Sequence, residues 1–403
     1  MSEQVNIPTE FSPREDLGSL QMKAWIVGGI GLAAIVAGYF TAAPEDFHRA
    51  YLVGWLFCLS MPVGLLALTM LGHVSGGMYG VMMRKVAEAA GRTLPVLFVL
   101  GIPVALNLEV LYPWARPEVL EHDTLVQHKA SYLNADFFYF RAVIYFVFWT
   151  AMAFLLSSKS RKYDETGDPA ILEGMKKMSA FGLVFHVLLS TFAAVDWVMS
   201  LDPHWFSSLM GAAFVEGQVL SAFCFSVLVL TYVRTRSPFD GLIQTKIFHD
   251  YGKLMLAFIA VWAYFSFSQF LIIWSGDLPE EVTWYLARSK DGWETVSRLV
   301  ILGHFVIPFI LLLSADLKKK PQLLSGVALW ILAMRWLDYF WLVAPSIHPE
   351  GDAAHHGVHF GWLDVAAPIG LVGLWLALLI GQFKGRPPVP HRHPMLQEVA
   401  NHG

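Results

Sequence analysis

Long apolar segments recur along the chain and are separated by short polar stretches. About 20 apolar residues in a helix are enough to cross the ~30 Å hydrocarbon core of a bilayer. Ten segments reach roughly that length. They lie near 24–43, 50–72, 94–112, 137–156, 178–201, 207–233, 254–274, 296–314, 323–343 and 362–383. This pattern predicts an all-α polytopic membrane protein with about ten transmembrane helices.

The distribution of basic residues predicts how these helices are inserted. With the N-terminus on the cytoplasmic side, twenty of the 28 Lys and Arg residues fall in inner segments and seven in outer ones, while Arg335 lies within a helix. Cytoplasmic loops of membrane proteins carry such an excess of positive charge. Both termini are therefore predicted to be cytoplasmic, in agreement with an even number of crossings.

Composition supports the membrane assignment and narrows the chemistry. Of the 403 residues 56% are hydrophobic and 15% charged, and the net charge of -4 gives no basic footprint for a nucleic acid. Cys58 and Cys224 are the two cysteines, and each lies alone in an apolar segment. They form no motif for covalent haem or for an iron–sulfur cluster. We therefore expect no haem, no cluster and no covalently bound cofactor in this chain.

Ionisable side chains inside the predicted helices are the candidate functional residues. A charge near the bilayer centre costs at least ~2.5 kcal/mol, so such groups usually face a cavity or each other. Taken together they predict a polar ladder from the inner to the outer half of the membrane, suited to proton transfer. The candidate proton pathway comprises His186, Asp196, Glu216, His304, Arg335 and Asp338.

Two other uses of these residues compete with proton transfer. Arg335 and Asp338 are three residues apart and share a helix face, so they can pair and serve only to hold helices together. His186 and His304 could in principle ligate a b-type haem. Their estimated depths differ by a few Å, roughly two residues of helix rise, whereas two axial ligands must lie at one depth.

Two segments between the helices carry further features. Residues 75–92 alternate apolar and charged positions, which predicts an amphipathic helix lying along the cytoplasmic surface. The outer segment near 344–361 holds four histidines without the helical spacing of a zinc motif, so a wet polar loop or docking surface is favoured over a metal site. These histidines are His348, His355, His356 and His359.

Several long segments resemble one known family. They read FAAVDWVMSLDPHWF at 192–206, DYGKLMLAFIAVWAYFSFSQFLIIWSG at 250–276, LPEEVTW at 278–284, HFVIPFILLLSADLKKK at 304–320 and RWLDYFWLVAP at 335–345. In order and spacing they resemble the F-type membrane subunits of bacterial alternative complex III, a quinol:cytochrome c or electron-acceptor oxidoreductase. These subunits belong to the NrfD-like family of polysulfide-reductase membrane subunits.

The resemblance implies an organisation into two parallel four-helix bundles with flanking helices. The cytoplasmic N-terminal segment would cover 1–23, and helices one to five, including the first bundle, 24–201. Helices six to nine, the second bundle, would cover 202–345. An outer loop with helix ten would follow at 346–383, and a cytoplasmic tail at 384–403.

The resemblance also implies a place in a respiratory complex of the bacterial inner membrane. Expected partners are lipids, a sister NrfD-like subunit, periplasmic haem c and iron–sulfur subunits, and a terminal oxidase as a further associate. The function predicted is that of a subunit without its own redox centre that offers a proton pathway. A quinone-binding subunit, with a quinone such as menaquinone as cofactor, is the first alternative. A secondary transporter or a structural anchor is the second.

The charge bias makes a prediction about topology. Because twenty basic residues favour one side, reporter fusions after Lys320 and after Gly403 should read cytoplasmic, and a fusion at Gly351 should read external. Paired reporters that are active on opposite sides of the membrane measure this directly. The inverse pattern at all three positions would reject the predicted orientation.

Overall fold

The computed structural model describes residues 7–12, 14–347, 357–384 and 386–402. Within these ranges the chain is almost entirely helical, and the β pairing consists of one isolated bridge between Ser12 and Ser237. Nine described helices are each long and apolar enough to cross a membrane, and a pair bent by 44° supplies a tenth crossing. The predicted fold class, an all-α polytopic membrane protein with about ten transmembrane helices, is confirmed.

The crossing helices are numbered here in chain order, with the bent pair as α3 and α4. They are α1 (Arg14–Thr41), α2 (Pro44–Ser75), α3 (Met78–Gly91), α4 (Leu94–Leu106), α5 (Ala135–Thr166), α6 (Pro169–Trp197), α7 (Met210–Val233), α8 (Thr245–Gly276), α9 (Trp293–Leu313), α10 (Pro321–Val343) and α11 (Leu363–Phe383). Short helices lie between or after them at Leu108–Leu111, Pro117–His122, Thr124–Lys129, Pro279–Ala287, Ala315–Lys318 and Pro394–His402.

The start of α1 and the end of α11 meet at one end of the molecule. Gln21 near the start of α1 accepts a hydrogen bond from the Lys384 ammonium (2.6 Å) and donates one to the Ala377 carbonyl of α11 (3.0 Å). The Phe11 and Phe383 rings pack edge to face at the same level. We call this the terminal end of the molecule and the other the opposite end.

Helix α2 is the centre of the structure. In its most apolar stretch 94% of the residues are buried inside the protein, compared with 28% in α1. A helix that is apolar all round and enclosed on all sides belongs to a core, whereas α1 leaves its apolar surface for lipid. Helix α2 packs against α3, α6, α7 and α11.

The helices form two bundles that share a long contact. The first contains α2 with α4, α5 and α6, and the second contains α7, α8, α9 and α10. Helix α7 packs on both α2 and α6 and so joins the bundles. Where α7 crosses α2, Gly64 is required, because a Cβ atom there would overlap the Gln218 carbonyl.

The first and last crossings pack on each other at the side of the first bundle. Helix α1 makes its main contact with α11, which in turn packs on α2. Small residues let the two backbones approach closely, as is common between helices in membranes. A Cβ on Gly31 would overlap the Gly370 Cα, and Gly28 and Gly373 face each other in the same way.

Helix α3 differs from its predicted surface position. It packs between α2, α5 and α11, and its Arg84, Lys85 and Glu88 side chains are buried. Lys85 forms an ion pair with Asp164 and donates to the Ser160 hydroxyl (2.8 Å), both on α5. At Lys85 the polar face of this amphipathic helix therefore contacts protein groups. The sequence pattern alone does not show whether such a face meets protein or water.

The contact between α1 and α11 predicts that substitutions at two neighbouring glycines differ in their effect on stability. Gly31→Val should destabilise the protein by about 1–3 kcal/mol, because the added side chain forces the helices apart. Gly29→Val is the matched control, since no atom of another element lies within 4 Å of its Cβ position. Thermal unfolding of the purified variants in detergent measures both. Equal midpoints would show that this helix contact contributes nothing to stability.

Candidate functional site

Four of the predicted site residues come together in the second bundle. Glu216 lies on α7, His304 on α9, and Arg335 and Asp338 on α10, and none is more than 3% exposed. Helix α10 contacts both α7 and α9. We call these four residues the second-bundle cluster.

Arg335 and Asp338 form the ion pair predicted from their spacing. The Arg335 Nη1 lies 2.5 Å from the Asp338 Oδ2, and the guanidinium lies 4.9 Å from the centre of the Tyr339 ring. Gly217 on α7 makes room for the guanidinium, because a Cβ there would overlap it. The Arg335 Nε has no hydrogen-bond partner in the described structure.

Glu216 is the least satisfied member of the cluster. Both of its carboxyl oxygens are buried and have no hydrogen-bond partner among the described residues. The group feels the electrostatic influence of Arg335 and Asp338. Because burying a carboxyl without a partner is costly, the position calls for water, for a proton or for both.

His304 lies in a distorted part of α9. Residues Ile301–Val306 form a π-helical turn, a rare form of helix that is frequent at functional sites. The imidazole packs against the Trp262 ring at 4.4 Å, and neither ring nitrogen has a hydrogen-bond partner within the described ranges. The Gly303 carbonyl in this turn accepts from the Trp330 indole (2.8 Å). Trp330 therefore helps to hold the π turn that places the imidazole.

Asp196 lies in the first bundle and is fully engaged there. Arg141 of α5 binds its two oxygens at 2.8 and 2.7 Å, and the Tyr145 hydroxyl donates to it at 2.6 Å. The guanidinium also stacks on Tyr132, 3.8 Å from the ring centre. Such a bidentate pair with an added donor joins α5 to α6.

His186 is also in the first bundle, apart from the cluster. Its two ring nitrogens are buried and without partners in the described structure, and the Trp149 ring lies 6.4 Å away. Ser179 and Ser190 occupy the same buried face of α6. At the terminal end the His73 Nδ1 lies 2.9 Å from the Ser179 hydroxyl. The predicted single ladder is therefore divided into two polar regions, one in each bundle.

The sequence did not point to several residues that complete these regions. In the sequence Arg141 is one of the seven outer basic residues, although Arg141 and Tyr145 are four residues apart and so share a helix face. His73 directly follows the apolar segment 50–72, and Tyr339 lies inside the segment 323–343. The i, i+4 spacing of Arg141 and Tyr145 was the available signal, but their partner Asp196 is 55 positions away from Arg141.

The ligand-bearing residues are dispersed. Within the described ranges no three His, Cys, Asp or Glu side chains are placed to hold a metal ion. Cys58 and Cys224 are separate and buried, and His186 and His304 belong to different bundles. His359 is exposed. The other histidines of the outer segment, His348, His355 and His356, lie outside the described residues.

One apolar crevice faces outward between α4 and α5. Half of its lining residues are aromatic, including Trp55, Phe98 and Phe146, and its volume is about 110 Å³. Pockets for small molecules usually measure about 300–1,000 Å³. The crevice is therefore smaller than the usual pocket for a small molecule.

Arg288 fixes the end of the helix that carries Arg335 and Asp338. Its guanidinium donates to the carbonyls of Trp284, Trp341 and Leu342 at 2.9–3.2 Å and lies 3.4 Å from the Trp284 ring centre. Burial lowers the pKa of Arg288 to about 9, so the group stays charged at neutral pH. A cation at the C-terminal carbonyls of α10 is favourable for the helix dipole.

The Arg141 and Asp196 pair makes a prediction about stability. Asp196→Asn should destabilise the protein by about 3–5 kcal/mol, because it leaves a buried guanidinium without its counter-charge. Asp136→Asn, an exposed position at the start of α5, is the control and should be neutral. Thermal or denaturant unfolding in detergent measures the difference. Equal stability of the two variants would show that the pair does not hold α5 to α6.

Comparisons with known proteins leave the chain without an assigned family. A scan against models of protein families and a search of curated proteins found no match. The likeness to membrane subunits of alternative complex III therefore rests on the quoted sequence segments.

Proposed function

We propose that this chain is a subunit of a quinol-oxidising respiratory complex of the alternative complex III type in a bacterial inner membrane. It would have no redox centre of its own and would offer protons a route through the second bundle. The observation that carries the proposal is the second-bundle cluster, in which Glu216 and His304 are buried without hydrogen-bond partners in the described structure. The terminal end would face the cytoplasm, as the basic residues favour.

A comparison of the two bundles favours a role in proton exchange for Glu216 and His304. A group that only holds helices together is expected to have its partners in place, as Asp196 has with Arg141 and Tyr145. Glu216 and His304 have none among the described residues, although both lie close enough to Arg335 to feel its charge. Titratable groups kept inside a membrane bundle commonly mark proton relays.

Each member of the cluster has a distinct role in the proposal. Glu216 and His304 can take up and release protons, with water filling the gaps between them. Arg335 keeps its proton in a protein, so it cannot relay one. Its fixed charge would hold Asp338 ionised and oppose the passage of other cations. His186, with Ser179 and His73, would form the inner approach from the terminal end.

Electron transfer is assigned to partner subunits in this proposal. Cys58 and Cys224 lie on different helices, α2 and α7, and the sequence has no haem-attachment or cluster motif. The partners would be a sister NrfD-like subunit and periplasmic haem c and iron–sulfur subunits, with a terminal oxidase as acceptor. Copurification with haem-bearing partners would support this, whereas a transporter would purify alone.

The proposal predicts the effect of removing the Glu216 carboxyl. Glu216→Gln keeps the size and some hydrogen bonding of the side chain but cannot exchange a proton. In vesicles that contain the assembled complex, the proton yield per electron should fall while quinol oxidation continues. Both quantities are measured side by side, and His304→Gln and Asp338→Asn should act in the same direction.

Asp364→Asn is the matched control for this experiment. Asp364 is a buried carboxyl of α11 that binds Arg49 at 3.0 Å, outside the second bundle. Its loss should lower stability without changing the proton yield of the assembled complex. An unchanged yield in fully assembled Glu216→Gln, His304→Gln and Asp338→Asn would reject the pathway and favour a structural anchor.

A further inference from the structure

A cavity at the terminal end lies outside the second-bundle cluster and shares His73 with the polar region of the first bundle. It has a volume of about 240 Å³ and lies between the end of α2, helix α3 and the start of α6. Its other side is formed by the C-terminal segment, here residues 386–402, through His393 and Met395. We call it the terminal cavity. Its polar lining residues are His73, Arg84, Glu173, Lys176 and His393.

Three nitrogen atoms of the lining residues lack partners. The Arg84 Nη1, the His73 Nε2 and the His393 Nδ1 are buried and have no hydrogen-bond partner in the described part of the chain. Arg84 itself is 5% exposed. Buried polar atoms are normally satisfied, so three of them around one cavity indicate that something with acceptor atoms occupies it.

The charges around the cavity favour an anion. Arg84 and Lys176 border it and Glu173 is the one carboxylate of the described lining. Glu88 and Asp164, which also influence Arg84, line a neighbouring cavity and are held there by Lys85. The terminal cavity therefore has a positive side in Arg84, with Lys176 near its edge.

Two further features strengthen this preference. The first turns of α6, from Pro169 to Lys176, border the cavity, and the N-terminus of a long helix favours negative charge. The C-terminal segment closes the other side, with the Tyr163 hydroxyl donating to the Arg392 carbonyl (3.0 Å). Burial and the charge of Arg84 lower the pKa of His393 to about 4. The imidazole is thus neutral at pH 7 and can still donate one N–H.

We propose that the terminal cavity binds a phosphate group through Arg84, His73 and His393, with Lys176 at its rim. A phosphate presents several strong acceptor oxygens, which is what the three unpartnered nitrogens require. The group can belong to an anionic phospholipid, since basic pockets between helices at the cytoplasmic side bind such headgroups, or to free phosphate. The site lies outside the second-bundle cluster, and phosphate binding can be measured without proton transfer.

The test uses the full-length chain purified in a maltoside detergent, which carries no phosphate. The unfolding midpoint is measured with added inorganic phosphate, with phosphatidylglycerol, and with phosphatidylcholine as the lipid control. A ligand that binds the folded protein raises the midpoint. In Arg84→Gln the affinity should fall about tenfold or more, because a charge-assisted hydrogen bond is lost. Arg161→Gln removes an exposed cation at the same end and should leave the affinity unchanged.

Each outcome decides the proposal or its ligand source. Stabilisation by phosphate that depends on Arg84 indicates free phosphate, and stabilisation by phosphatidylglycerol alone indicates a lipid headgroup. If Arg84→Gln does not fold, His393→Leu and Lys176→Gln make the same test from other elements. No stabilisation in either arm, or equal losses in the variants and in Arg161→Gln, would overturn the proposal.

Discussion

A guanidinium buried in the middle of a membrane bundle needs a counter-charge and space. In the second bundle α10 provides the counter-charge for Arg335 and α7 provides the space. Asp338 supplies the charge from the same helix, one turn away, and Tyr339 supplies an aromatic face. Gly217 supplies the space, which fixes the rotation of α7 against α10. The preceding residue, Glu216, is then held beside the pair by the same contact, so the position of the cluster follows from the burial of one cation.

Buried arginines elsewhere in the molecule, Arg49 and Arg141, also have a carboxylate partner. Arg141 binds Asp196 through two hydrogen bonds in the first bundle, and Arg49 binds both Asp46 and Asp364 at the opposite end. In both cases an ion pair joins two helices, α5 to α6 through Asp196 and α2 to α11 through Asp364. The second-bundle cluster is different because two of its four members lack partners among the described residues. Buried polar groups that lack hydrogen-bond partners are expected at functional sites.

The sequence predicts what is set by short-range pattern. Hydropathy predicts the crossings, and the spacing of Arg335 and Asp338 predicts their ion pair. It does not predict that Asp196 meets Arg141 or that His186 stands apart from Glu216, because pairing between helices depends on their rotation and packing. The burial of α3 cannot be predicted from the sequence for the same reason. Its Lys85 binds Ser160 and Asp164, which belong to α5 and are distant in sequence.

The proposed proton route requires that Glu216 exchanges a proton while the assembled complex turns over. Infrared difference spectroscopy observes this directly, because a protonated carboxyl has a C=O stretch that a carboxylate lacks, and Glu216→Gln assigns the band. Proton exchange at Glu216 predicts a carboxyl band that changes when quinol is oxidised and is absent from the Glu216→Gln spectrum. A Glu216 band that stays constant throughout turnover, or identical difference spectra for the two proteins, would contradict it.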